Sequence, residues 1–322
     1  MKLTNAIERY IEHRRDEGVF YQLPGNQLRS FGRHVGEIEL QEVNPTHILT
    51  FLNSSQVSTN TWRRKYAYLS RFFKHWQALG LVRAIEMPAP RGNVRRTFVP
   101  YVYSRSEIRT LLRAASQVRQ NPHSMIHPET IRMLILLVYG TGARMSEATA
   151  MLNGDVDLNN RTICLKLNGS GSPRCLPIGP DLRRALNTYS KWKRSEGLAG
   201  RFFLLRRDGS CLKRKGIYLL FHKLLRHTGI VRRDRPSIRP RIIDFRPTFA
   251  VHQITSWIRR GKDLNRLLPA LSGYLGQVDL NSTDQFLLLT PDRFKKALDK
   301  LSPQQGERWS ANPETMKFLS GL

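Results

Sequence analysis

The chain is short of cysteine, of acidic residues and of long apolar runs, and each shortage removes a class of protein. Cys164, Cys175 and Cys211 are the only cysteines in 322 residues. Their number is odd, no CxxC spacing occurs and no histidine pair accompanies them, so neither a disulfide framework nor a zinc site is expected. The longest uninterrupted apolar run, Met133 to Tyr139, falls far short of the roughly 20 residues that cross a bilayer. Residues 1–18 alternate Lys, Glu and Arg with apolar side chains and lack the continuous apolar core of a signal peptide. A cytoplasmic, nucleoid-associated chain with no metal and no cofactor is the expectation.

Acidic residues number 25 against 53 Lys plus Arg, a formal charge of +28, while 40% hydrophobic residues and five Trp exclude a disordered basic tail. The abundant polyanion in a cytoplasm is nucleic acid, with anionic membrane the weaker alternative. The charge is uneven: the stretch Arg201 to Arg246 is dense in Lys and Arg and interleaved with Phe202, Phe203, Tyr218 and Phe221. Such interleaving points to a folded basic surface. The length predicts two domains at roughly 100 to 200 residues each.

The first part reads as helices at 4–17, 26–35, 45–52 and 59–79. In the last of these Trp62, Tyr66, Leu69, Phe73 and Trp76 recur at steps of three and four, a core stripe, and Arg63, Arg64, Lys65, Arg71 and Lys74 fall largely off it. From Ile85 to Tyr101 three prolines and three arginines interrupt any helix and predict a basic linker, either a solvated tether or a strap along a phosphate backbone. Beyond it, Ser104 and Glu107 form a capping-box pair opening a helix to Ala115. A buried helix is predicted at 129–139, a hairpin from strands 162–167 and 174–178 around Asn168 to Gly171, and helices at 180–195, 214–227, 248–260, 267–276 and 291–300.

Four segments carry a resemblance: GTGARMSEATAM from Gly140, DFRPTFAVHQI from Asp244, LPALSGYLGQVDLNST from Leu268 and FLLLTPD from Phe286. In order and spacing they resemble the signatures of the tyrosine recombinases, or phage integrases. The resemblance implies a mainly α fold with a small antiparallel β-sheet, in two domains that close around duplex DNA as a C-shaped clamp. Residues 1–84 would form a helical core-binding domain, 85–101 the linker, 102–302 the catalytic-fold domain and 303–322 a tail that packs onto a neighbouring protomer or frays.

The family's chemistry needs two arginines to clamp the scissile phosphate, a hairpin lysine and two histidine-type positions to move protons, and a tyrosine to attack phosphorus. Carried over, the arginines are Arg144, supported by Glu147, and Arg246. The other four positions depart. Gly169 stands where the hairpin lysine is expected, with Lys166 the only nearby candidate and assigned to the strand. Ile243 and Gln277 replace the histidines, and Phe286 replaces the tyrosine. A phenyl ring has no oxygen with which to attack; of the two substitute nucleophiles, Tyr274 falls inside a helix as a core residue and Ser282 lacks acid and base partners. Without the resemblance, Arg144 would pair with Glu147 and Arg246 with Asp244 for structure alone, and His252 would be a core histidine.

The expected function is double-stranded DNA binding without catalysis: a pseudo-recombinase that selects a target site and recruits transposition or recombination proteins. The DNA-contacting side chains would be Arg63, Arg64, Lys65, Arg71, Arg95, Arg96, Lys213, Arg214, Lys215 and Arg241, with self-association through 303–322 and no membrane contact. An active or partner-complemented recombinase, and a repressor or architectural protein, are the alternatives.

Overall fold

The computed structural model describes residues 1–19, 21–54, 58–83, 85–92, 99–117, 124–166, 173–277, 286, 287 and 289. The fold is mainly helical with one small antiparallel sheet of three strands. The chain divides into two units, Met1–Phe98 and Val99–Leu322, so the boundary falls inside the Pro- and Arg-rich stretch. Arg95, Arg96, Gly169, Ser282, the turn 168–171, the helix expected at 291–300 and the tail 303–322 lie outside the described residues.

In the N-terminal unit, α1 (Leu3–Asp16), α2 (Gln22–Val35), α3 (Pro45–Asn53) and α4 (Thr59–Ala78) surround one apolar core. Leu3, Ile7, Tyr10 and Ile11 line the buried side of α1, and Trp62, Leu69, Phe72, Phe73 and Trp76 that of α4. Burying each of these large side chains contributes about 1.5–3 kcal/mol. Tyr66 of the predicted stripe is only half-buried and stacks on Trp62 at 5.4 Å. α2 begins four residues before its expected start. Pro24 is its third residue, where the missing N–H breaks no intrahelical bond. Arg91, expected in the linker, folds back on this unit: its guanidinium donates to Asn53 Oδ1 at 2.9 Å and lies over the Trp62 ring.

The C-terminal unit contains α5 (Arg105–Gln117), α6 (Pro128–Thr141), α7 (Met145–Ala150), β1 (Val156–Asp157), β2 (Thr162–Leu165), β3 (Arg174–Pro177), α8 (Pro180–Ser195), α9 (Arg214–Thr228), α10 (Phe245–Arg259) and α11 (Leu264–Leu275). Helix α6 is apolar nearly all round and is accordingly enclosed by α5, α8 and α10. The Ser104–Glu107 capping box forms as expected, with bonds of 2.7 and 3.1 Å. Helix α10 starts three residues early because Pro247 again occupies the third position, and α11 runs from Leu264 through an internal Pro269.

Two expectations for the sheet fail. The two-residue strand β1 is too short to leave a periodic pattern, yet it pairs with β2 through Val156 and Ile163. Cys164 and Cys175, read as unpaired, stand directly opposite each other across β2 and β3 and form a disulfide. Antiparallel register, which decides the pairing, is invisible in the odd count and the wide spacing.

Candidate nucleic-acid interface

Helix α6 ends at Gly142 in the left-handed region, with φ +62°. A Cβ there would stand 2.6 Å from Leu275 and 2.7 Å from Phe249, so only glycine lets this turn pass so close to α10 and α11. The turn delivers Arg144 to the N-cap of α7. There its backbone N–H donates to Glu147 Oε2 at 2.6 Å and its Nη1 to Oε1 at 2.9 Å.

Glu147 is fully buried, and a second cation reaches it from the sheet. Arg174, the first residue of β3, donates Nη1 to Oε1 at 2.6 Å and Nη2 to Oε2 at 2.9 Å, a bidentate pair. Burial alone would raise the Glu147 carboxyl; the bonds from Arg174 and Arg144 outweigh it and hold the group below the usual carboxylate range.

The C-terminus of α11 joins these groups. The last carbonyls of a helix lack intrahelical donors and carry the negative end of its dipole. Here three successive ones each accept from a different arginine: Tyr274 O from Arg174 Nε at 3.1 Å, Leu275 O from Arg246 Nη2 at 2.8 Å, and Gly276 O from Arg144 Nη2 at 2.8 Å. Arg246 also donates to Gly142 O at 2.8 Å. Burial, with Arg144 beside it, lowers Arg246 to about 10, which leaves it charged at neutral pH.

The two arginines expected to act together therefore do meet, with a third that the sequence reading missed. Three guanidinium groups, two of them bonded to Glu147 and the third beside them, surround one carboxylate, an excess of two positive charges. The side chain of Arg144 remains 37% exposed against 17% for Arg174, so Arg144 is the member open to an external anion. Each guanidinium has five N–H donors. Among the described residues, Arg144 and Arg246 each commit two side-chain bonds to carboxylate or carbonyl oxygens.

The other assigned positions scatter. Ile243 sits half-buried in the turn before α10. Gln277 follows the α11 cap and its N–H donates to Ser272 O. Phe286 is buried in an apolar cluster with Phe249, Leu268, Leu271 and Leu275. Lys166 is held by Asp155 at 2.6 Å, and Tyr274 packs its ring on Phe249 while burial pushes its hydroxyl up to about 12. His252 is half-buried, its Nδ1 2.9 Å from the Tyr139 hydroxyl.

The Arg246–Asp244 pair considered from sequence does not form. Asp244 instead takes Arg241, one of the expected DNA contacts, whose Nη2 lies 2.7 Å from Oδ1 while its side chain remains 34% exposed. On α4, Arg64 and Arg71 are exposed, Arg63 is half-buried and Lys65 lies over the Phe51 ring at 4.6 Å. At the start of α9, Lys213, Arg214 and Lys215 are all exposed, and Arg214 turns onto Tyr218.

Comparison with known proteins places this architecture. The model named Phage integrase family matches residues 103–264, half of the chain. The chain belongs to the phage integrase family. It is 28% identical over 315 residues to the integrase/recombinase y4rB of Sinorhizobium fredii, covering 94% of this chain and 98% of that protein. It is 24% identical over 278 residues to the tyrosine recombinase XerC of Lacticaseibacillus casei, covering 84% of each. Among solved structures, a lambda integrase dimer bound to a COC' core site shares the fold with a TM-score of 0.63 at 15% identity, covering 96% of this chain and 99% of that one. The Tn1549 transposon integrase in complex with transposon right end DNA gives 0.64 at 14% identity, covering 95% and 100%.

Proposed function

We propose that this chain is a DNA-binding member of the phage integrase family that recognises a duplex site without cutting it and brings transposition or recombination proteins to that site. The observation that carries the reading is the pairing of a retained arginine cluster with Phe286 at the position where the resemblance puts the nucleophile. Arg144, the exposed member of the cluster with Arg174 and Arg246, offers charge-assisted donors to a phosphodiester, whereas Phe286 is packed in an apolar cluster and has no oxygen to form a phosphotyrosyl bond.

The +28 charge supports polyanion binding. So does α9, whose first turn carries Arg214 and Lys215 after Lys213 and no acidic residue. Cations at the positive end of a helix are unfavourable in isolation and are relieved by an anion. In this reading the two units clamp the duplex, the exposed face of α4 reads it, and the arginine cluster holds one phosphate. The chain covers 98% and 84% of relatives named integrase/recombinase and tyrosine recombinase, which favours the second reading, a recombinase that is active alone or completed by a partner subunit.

Two measurements separate these. Fluorescence anisotropy with duplexes of a few tens of base pairs is expected to show site-specific binding, and an affinity that does not exceed that for random duplex overturns site selection. Denaturing gels with nicked suicide substrates are expected to show no covalent adduct, alone or after Phe286→Tyr, because Gly169, Ile243 and Gln277 still withhold proton transfer worth on the order of 10² to 10⁴ in rate. An adduct formed by the native chain establishes an active recombinase.

A further inference from the structure

A cavity of about 450 Å³ opens in the C-terminal unit between the segment Ser124–Pro128 and the first turns of α9. Its floor is apolar, built from Ile126, Pro128 and Leu220, and two further apolar lining residues reach solvent: Met125 is 38% exposed and Leu219 62%. The rim is cationic. Lys213, Lys215 and Lys223 of the α9 region line it together with Arg206 and Arg207, and among the described residues no Asp or Glu does. Asp208 offsets the charge of Arg206 at 3.0 Å. The walls are tied together, since Arg207 N–H donates to Met125 O at 3.0 Å.

We infer that this cavity is a docking site for an acidic amphipathic segment of a partner protein, which seats an apolar side chain on the floor and sets carboxylates against the rim. The inference rests on the reading that the chain recruits partners, and it assigns that recruitment a surface. Charge complementarity selects the occupant's sign, and the concave apolar floor selects its class. A phosphate backbone would neutralise the lysines but has no apolar group to fill the space or to cover Leu219. A helix carrying Leu or Trp one turn apart between glutamates supplies both, in the manner of helices that lay an apolar face in a groove. The site also divides the basic triad of α9, because Lys213 and Lys215 line the cavity while Arg214 lies on Tyr218.

The test uses the full chain and three fluorescein-labelled probes: a 16-residue helical peptide with Leu and Trp at i and i+4 among glutamates, the same peptide with both anchors changed to Ala, and a 30-base-pair duplex. A peptide of residues 303–322 serves as competitor. The anchored peptide is expected to bind at least tenfold more tightly than the anchorless one, and Leu219→Asp to weaken it tenfold or more while duplex affinity changes less than twofold. Thermal melting confirms that this exposed substitution leaves the fold intact, and Leu219→Ala supplies a milder variant with the same expected direction. Equal binding of the two peptides, no effect of Leu219→Asp, or stronger binding by the 303–322 peptide overturns the inference. A parallel loss of duplex binding on Leu219→Asp assigns the surface to DNA and also overturns it. Failure of every duplex to bind the native chain, with the peptide result intact, overturns the DNA-binding reading alone.

Discussion

Glu147 is the residue on which the interface turns, because one buried carboxylate holds two arginines while a third lies beside them. Removing its charge leaves three guanidinium groups crowded together, and breaking a buried pair in this way costs about 3–5 kcal/mol. Glu147→Gln is accordingly expected to lower the midpoint of urea unfolding sharply, and an unchanged midpoint would show that the cluster contributes nothing to stability. The pH dependence has a definite sign. The folded carboxyl titrates below its ordinary value of 4.5, so its contribution is fully present above that value and is lost as pH falls through the lowered one. Unfolding curves between pH 6 and pH 3 are expected to show a steeper acid loss for the native chain than for Glu147→Gln. Gly142 carries a second residue-scale prediction: Gly142→Ala forces a left-handed alanine against Leu275 and Phe249 and is expected to cost more than about 1 kcal/mol in the same assay.

At the scale of elements, what was legible was what local pattern encodes. The stripe of α4, the apolar run of α6 and the Ser104–Glu107 cap follow from periodicity and side-chain chemistry within a few residues of one another. Helices α2 and α10 begin before the starts expected at residues 26 and 248, with Pro24 and Pro247 inside their first turns, where the missing N–H costs nothing. Arg144 and Arg246 were legible through the signature segments. Arg174 was not, since its role depends on the register that carries β3 beside α7 and the end of α11, residues 27 and 100 positions away. The same register joins Cys164 to Cys175. A link of this kind stabilises mainly by restricting the unfolded chain, by about 2–3 kcal/mol for a short loop. The Cys164→Ser, Cys175→Ser double variant is expected to melt below the native chain without reductant and to coincide with it in dithiothreitol; equal melting in both conditions would show that the hairpin gains nothing from the bond.

For the whole molecule, the reading depends on where the positive charge meets DNA and how each contact speaks to sequence. Arg64 and Arg71 lie seven residues apart on α4, hence on one helix face, and both are exposed. The arginine cluster differs in kind: its members are tied to carbonyls and to Glu147, so their loss perturbs structure as well as binding. Contacts to phosphate position a protein without specifying sequence, whereas an arginine in the major groove discriminates a guanine by about 1–3 kcal/mol. Anisotropy titrations across a salt series, with cognate and random duplexes, distinguish the two roles. Native affinity is expected to fall by about 10³ to 10⁵ between 50 and 200 mM salt if six to ten phosphates are met. Arg64→Ala or Arg71→Ala is expected to narrow the gap between cognate and random duplexes. Arg144→Lys, which keeps the charge but loses the paired fork, is expected to weaken both duplexes alike, with melting curves taken alongside. If Arg64→Ala and Arg71→Ala weaken both duplexes equally and make the salt slope shallower, α4 meets only phosphate and does not select the site.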